Sequence, residues 1–171
     1  MSTLYEAPRV DAESRVSEAD DVSLRLWLRL LTCTTLIERH VRERLRDRFE
    51  ITLPRFDLMA QLERAPGGLK MSELSRRLMV TGGNVTGLTD QLVAEGLVVR
   101  RAIPGDRRAH AVRLTAKGKR QFDAMATKHR DWIGELLGGL PAGERETLYE
   151  SLGRLKSAVT ARPESAGKPR S

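Results

Sequence analysis

The chain has 171 residues, 31% of them charged and 4% aromatic, with one cysteine and a net charge of +7. A single cysteine excludes an intrachain disulfide scaffold, and no apolar stretch reaches the roughly 20 residues that a membrane span needs. The charge is concentrated: Lys70 to Arg120 holds 11 basic and 4 acidic side chains, a net +7, so the rest of the chain sums to zero. Such a localised basic excess is the electrostatic footprint of a nucleic-acid-binding surface. A reducing cytoplasm fits the cysteine usage.

In chain order, residues 1–17 are polar and acidic without an apolar run, and read as a flexible tail rather than a signal peptide. From Asp21 to about Arg48, apolar residues recur at helical spacing: Val22, Leu26, Leu30, Cys33, Ile37, Val41 and Leu45. Trp27, Leu28, Leu31 and Leu36 widen that stripe beyond what one small domain needs, which implies that part of it faces a second subunit. Cys33 lies on the stripe, where a small buried hydrophobe is the default role.

Leu53-Pro54 opens a second helix with Pro54 at its first position, and the helix ends before Ala65-Pro66-Gly67-Gly68. A short helix follows over Met71 to Met79, with Lys70 a poor N-cap and Glu73 complementing the helix dipole. After a tight turn at Val80-Thr81, a further helix capped by Thr81 runs from Gly82 to Glu95 and stops at Gly96. Leu97 to Arg101 and Ala109 to Thr115 flank a turn at Pro104-Gly105-Asp106 and read as a two-stranded hairpin with a basic tip. Two helices, Ala116 to about Leu137 and Ala142 to about Ala161, close the fold, and 162–171 reads as a second flexible tail.

The expected fold is mostly α with a small β-hairpin wing. A short helix, a tight turn, a second helix and a wing describe a winged helix-turn-helix, whose second helix can place its N-terminal residues in the major groove. Its first helix crosses the backbone, where Arg76 and Arg77 are placed for phosphates. The wing can set a long cation into the minor groove.

The chain here resembles the MarR family of bacterial transcriptional regulators. The resemblance is carried by Leu74-Ser75-Arg76-Arg77-Leu78, by Asn84-Val85-Thr86-Gly87-Leu88 and by Leu92 to Val98. Most specific are Asp106-Arg107-Arg108-Ala109, Val112-Arg113-Leu114-Thr115 and Gly118. The resemblance implies a subunit over 18–161, with 18–50 and 116–161 as dimerisation helices and 53–115 as a winged-helix lobe. It implies Arg108 as the minor-groove cation and Asp106 as the residue that holds the wing; Arg107, Arg101 and Arg113 are cations placed beside the DNA, although Arg101 and Arg113 equally suit a solvated face. Thr81, Gly82, Gly83, Asn84, Thr86 and Gly87 would face the major groove. Asn84 suits adenine, and Thr86 suits a phosphate or a thymine methyl. Many relatives carry Arg at the position of Gly87; the glycines either let the helix approach DNA closely or are tolerated drift.

Relatives form homodimers on double-stranded DNA and bind small aromatic or acidic effectors between the dimerisation helices and the lobe. Here the lining would be Trp27, Leu31, Thr34, Thr35, Phe56, Met59 and Trp132, each equally at home in a core. Leu24 to Leu31 and Thr52 to Met59 are similar to a subgroup that controls hydroxycinnamate catabolism and is de-repressed by an aromatic acyl-CoA thioester. Arg39, His40, Arg42, Arg44, Arg46 and Arg48 would then meet CoA phosphates, although the interleaved Glu38, Glu43 and Asp47 equally suit a salt-bridged helix face. No catalytic motif, cofactor or metal site is expected, since His40, His110 and His129 lack metal spacing. Two alternatives stand beside this: a winged-helix docking or architectural module, and redox sensing through Cys33.

Overall fold

The computed structural model describes residues 21–79, 81–103 and 106–161, without the side chains of 103 and 106–109. The tails, Val80 and the Pro104-Gly105 turn lie outside the described residues, as do the side chains of Asp106, Arg107 and Arg108. The element order is α1 (Val22–Phe49), α2 (Leu53–Glu63), β1 (Leu69–Lys70), α3 (Met71–Leu78), α4 (Gly82–Ala94), β2 (Val98–Ile103), β3 (Asp106–Leu114), α5 (Ala116–Leu137) and α6 (Ala142–Thr160). The described residues divide into two compact units between His129 and Arg130. Among the described residues no helix is long and apolar enough to cross a membrane.

α1 forms because no Gly or Pro interrupts 28 residues and Asp21 caps it, its carboxylate accepting from the Ser23 N–H at 2.7 Å. The Ser23 hydroxyl first, and the Ser23 and Leu24 N–H groups with it, hold the Asp21 carboxyl below its usual range. The apolar stripe is fully buried at its C-terminal end, at Val41 and Leu45, while Leu28, Leu30 and Ile37 are half-buried. Val22, Leu26, Leu31 and Leu36 are exposed, and Trp27 is 58% exposed. Cys33 is exposed too, which corrects the expectation of a buried thiol.

α2 starts at Leu53, one residue before the Pro54 signal, and it carries the centre of the core. Leu58 and Met59 are fully buried, and Phe56 stacks on Phe122 of α5 at 5.5 Å between ring centroids. Phe56 also meets His129 at 5.0 Å, and burial pushes the His129 imidazole below its ordinary pKa. Leu74, Val85, Leu92, Leu97, Val98 and Val112 are buried as well.

The wing is a three-stranded antiparallel sheet, ordered β1-β3-β2, where a two-stranded hairpin was expected. The extra strand pairs Leu69 with Val112 and Lys70 with Ala111. It is two residues long and runs straight into α3, too short for an alternation pattern to reveal it. Gly68 makes the entry possible. Its φ is +91°, and a Cβ there would lie 3.0 Å from the Val112 carbonyl oxygen. β2 and β3 pair from Val98↔Leu114 to Ile103↔Asp106, with a register shift at Ala102/Ile103.

The end of α4 is locked to the start of α5. The Thr115 N–H donates to the Leu97 carbonyl at 3.0 Å, and the Thr115 hydroxyl donates to the Gly96 carbonyl at 2.7 Å. The Thr115 hydroxyl in turn caps α5 by accepting from the Gly118 N–H at 3.0 Å. A Cβ on Gly118 would sit 1.9 Å from the Leu97 carbonyl oxygen. Gly118→Ala should therefore force the α4–α5 junction apart and cost about 1–3 kcal/mol. A urea midpoint equal to wild type would show that the two backbones separate freely.

Candidate nucleic-acid interface

α4 is held by Val85, Thr89 and Leu92, all fully buried at helical spacing. Thr89 is satisfied by donating to the Val85 carbonyl at 2.7 Å. This stripe leaves Thr81, Gly82, Gly83, Asn84, Thr86 and Gly87 exposed on one outward face. A Cβ at Gly82, Gly83 or Gly87 would meet nothing within 4 Å, so the fold itself does not demand these glycines. Thr81 takes the N-cap position, but its side chain makes no capping hydrogen bond, contrary to the sequence expectation. The Thr86 hydroxyl donates to the Gly82 carbonyl at 3.0 Å, so its proton is used inside the helix. Toward a partner it presents a methyl group and an acceptor.

α3 presents Arg76 and Arg77, and both guanidiniums bind Glu73. Arg76 Nη2 lies 2.7 Å and Arg77 Nε 2.7 Å from its oxygens. Arg76 first, and Arg77 with it, hold the Glu73 carboxyl below the usual range. The pair of cations is therefore oriented by one anion and shows a partner one net positive charge.

Several wing and α5 cations also have intramolecular roles that the sequence did not show. Arg100 pairs with Asp90 of α4 at 2.6 Å, and Arg113 Nε donates to the Pro66 carbonyl at 3.0 Å. Lys117 donates to the Glu95 carbonyl at 2.8 Å. Lys119 bridges Glu63 at 3.0 Å and Asp123 at 2.6 Å, which raises its pKa. Arg101 is exposed on β2. Asp106 opens β3 opposite Ile103; its side chain and those of Arg107 and Arg108 lie outside the described residues.

Between α3, α4 and the wing is an open groove of about 550 Å³, lined by Lys70, Met71, Ser72, Thr86, Asp90, Arg100 and His110. Lys70, Ser72 and His110 were not singled out as site residues from the sequence. The short β1 strand brings Lys70 there, and β3 brings His110.

The residues named for an effector have different surroundings. Phe56, Met59 and Trp132 are buried. Trp27, Leu31, Thr34, Thr35, Arg39 and His40 are exposed on α1. The Thr35 hydroxyl donates to the Leu31 carbonyl at 2.8 Å. Asp57 of α2 is half-buried, and its pKa is raised by that burial and by the charge of Glu38 on α1.

A model of the MarR family matches residues 49–109. A MarR family transcriptional regulator from Silicibacter pomeroyi, solved by crystallography, is 33% identical with a TM-score of 0.69, covering 84% of this chain and 99% of that one. The HTH-type transcriptional regulator PecS of Dickeya dadantii is 25% identical over 138 residues, covering 80% of this chain and 83% of the relative. Sco3205 of Streptomyces coelicolor, a MarR family regulator solved in complex with DNA, shares the fold at TM-score 0.73 and 21% identity over 90% of this chain and 96% of that one. The three-stranded wing beside the α3–α4 pair and these likenesses define a winged-helix transcriptional regulator, not an enzyme. The chain belongs to the MarR family.

If Arg76 and Arg77 face DNA, Glu73→Gln should release one unit of positive charge to it. Affinity for a scrambled duplex should rise several-fold at low salt, with a salt slope steeper by roughly one. Unchanged affinity and slope would place both arginines off the DNA path.

Proposed function

We propose that the chain is a sequence-specific, effector-responsive repressor that binds a palindromic operator as a homodimer in the cytoplasm. The observation that carries this is the outward face of α4. Six consecutive or near-consecutive small and polar residues there have no packing role, beside a wing in the segment that holds the chain's whole net charge. Asn84 is the base-reading residue, since its amide can pair bidentately with adenine. Thr86, its hydroxyl proton already used, suits a thymine methyl better than a phosphate. Arg108 enters the minor groove, Asp106 holds the wing, and Arg107, Arg101 and the oriented Arg76–Arg77 pair meet phosphates. Arg113, held to the Pro66 carbonyl, acts by bracing the wing.

Two such units on one duplex face give half-sites about 10 bp apart. The surface for that pairing is supplied by 18–50 and 116–161, with 53–115 as the DNA-binding lobe. α1 exposes Val22, Leu26, Trp27 and Leu31, and α6, which has no buried residue, exposes Leu148, Leu152, Leu155 and Val159. Exposed apolar surface of this extent marks an interaction site. Pairing through α1 also covers Cys33, which removes the access a redox sensor needs.

For the effector we favour an aromatic acyl-CoA thioester over a free aromatic acid. Thr34 and Thr35 share a helix face with Glu38, four and three residues on, and Glu38 already raises the Asp57 pKa. A ligand carboxylate there meets Asp57 and a Glu38 already paired with Arg42 at 3.8 Å, whereas a thioester carbonyl brings no like charge to them. Arg39 and His40 are exposed next to them for CoA phosphates. Release from DNA then requires that the ligand bind the DNA-incompetent state more tightly.

Arg108→Ala should weaken operator binding by about 1–3 kcal/mol with the dimer unchanged, and Asn84→Ala should lose discrimination more than non-specific affinity. Anisotropy titrations on operator and scrambled duplexes check both. Equal losses on the two DNAs for Asn84→Ala would reduce it to a backbone contact. In calorimetry, p-coumaroyl-CoA should release heat on binding and displace DNA, while p-coumarate should do neither. The reverse result would place the acid, not the thioester, in the site.

A further inference from the structure

The strongest unassigned feature is the way α2 holds the far end of α4. Arg55 lies in the first turn of α2, its side chain only 11% exposed, and its Nη2 donates to Glu95 Oε2, forty residues away. Its Nε is buried with no hydrogen-bond partner among the described residues. The guanidinium is largely removed from water while the Glu95 side chain stays 47% exposed, so the buried cation leans on this one carboxylate. Glu95 is the residue that ends α4. Its carboxylate goes to α2, while its carbonyl accepts from Lys117 and the next two carbonyls accept from Thr115.

The two ends of α4 are therefore held unequally. At the N-terminal end Thr81 makes no side-chain cap, and Gly82 and Gly83 have no side chains to pack. In the middle, Val85 and Leu92 press the helix onto the lobe, but apolar contact is non-directional and permits small rotations and slides. Its directional bonds to the rest of the lobe, among the described residues, are the Asp90–Arg100 ion pair to β2, a long Thr89 hydroxyl contact to the Met71 sulfur, and those at Glu95 to Leu97. Of these, the Arg55–Glu95 pair is the one that ties α4 to α2.

We propose that Arg55 is a positioning residue for DNA reading: by clamping Glu95 it sets the angle and register at which α4 presents Asn84, without touching DNA itself. This rests on α4 being the DNA-reading helix. A displacement of about 1 Å at such a distance is enough to spoil a bidentate contact.

The test uses the full chain and a duplex that the wild-type protein selects from a random-sequence pool, with a scrambled duplex as control. Arg55→Gln, Arg55→Lys, Glu95→Gln and the double Arg55→Gln/Glu95→Gln are compared across a salt series, with folding checked by circular dichroism. Each single change to Gln should lower affinity for the selected duplex roughly tenfold, and the double should lose no more than either single, because the two act as one unit. Affinity for scrambled DNA and the salt slope should stay as in wild type, because no phosphate contact is lost. Arg55→Lys, which keeps the charge, should recover part of the loss. If Arg55→Gln does not fold, Glu95→Gln and Arg55→Lys carry the same comparison. Equal loss on both duplexes with a slope reduced by about one would make Arg55 a phosphate contact and overturn the inference. Folded variants that bind as wild type would overturn it as well. Failure of the wild type to select any duplex would instead remove the reading of α4, and this inference with it.

Discussion

The structure depends on the junction where α4 ends and α5 begins. Thr115, Lys117 and Gly118 close on three successive carbonyls, those of Glu95, Gly96 and Leu97, and Gly118 permits a backbone approach that any side chain would block. A helix that is to read DNA must be rigid where it meets the lobe and bare where it meets the duplex. α4 satisfies both. Its inner stripe is packed and its C-terminal end bonded, and its outward face is small and polar, with only the Thr86 hydroxyl turned back onto the helix.

The same economy governs the charges. A net +7 in fifty residues suggests a broad cationic surface, but the side chains are differently employed. Arg100, Arg113, Lys117 and Lys119 have protein partners, and Arg76 and Arg77 share Glu73. These contacts orient cations without neutralising the region. In the proposed reading the long-range field of this surface steers DNA, while its short-range geometry is preset by these protein contacts.

Much of this was legible in the sequence, and the exceptions have physical causes. Helical spacing, Gly96 and the alternating wing strands gave the element order, since these signals act over a few residues. β1 escaped because two residues carry no period. The Thr81 cap was inferred from residue type, yet the side chain does not turn back onto the helix. The partners of Arg55, Arg100 and Lys119 were hidden because pairing across the fold leaves no local trace. That part of the α1 stripe would be left for a second subunit was expected, but the exposure of Cys33 was missed for another reason. An apolar stripe tells that a surface will be covered, not whether the covering comes from the same chain.

The most direct test of α4 as a DNA-reading surface is fluorescence anisotropy with the wild-type protein. Binding to DNA from upstream of its own gene would be compared with a scrambled duplex as salt is raised. The account predicts two curves that separate, with the upstream duplex retaining its advantage after non-specific binding has been lost to salt. Weak binding, equal on both duplexes and vanishing together with salt, would contradict it and return the fold to a docking module.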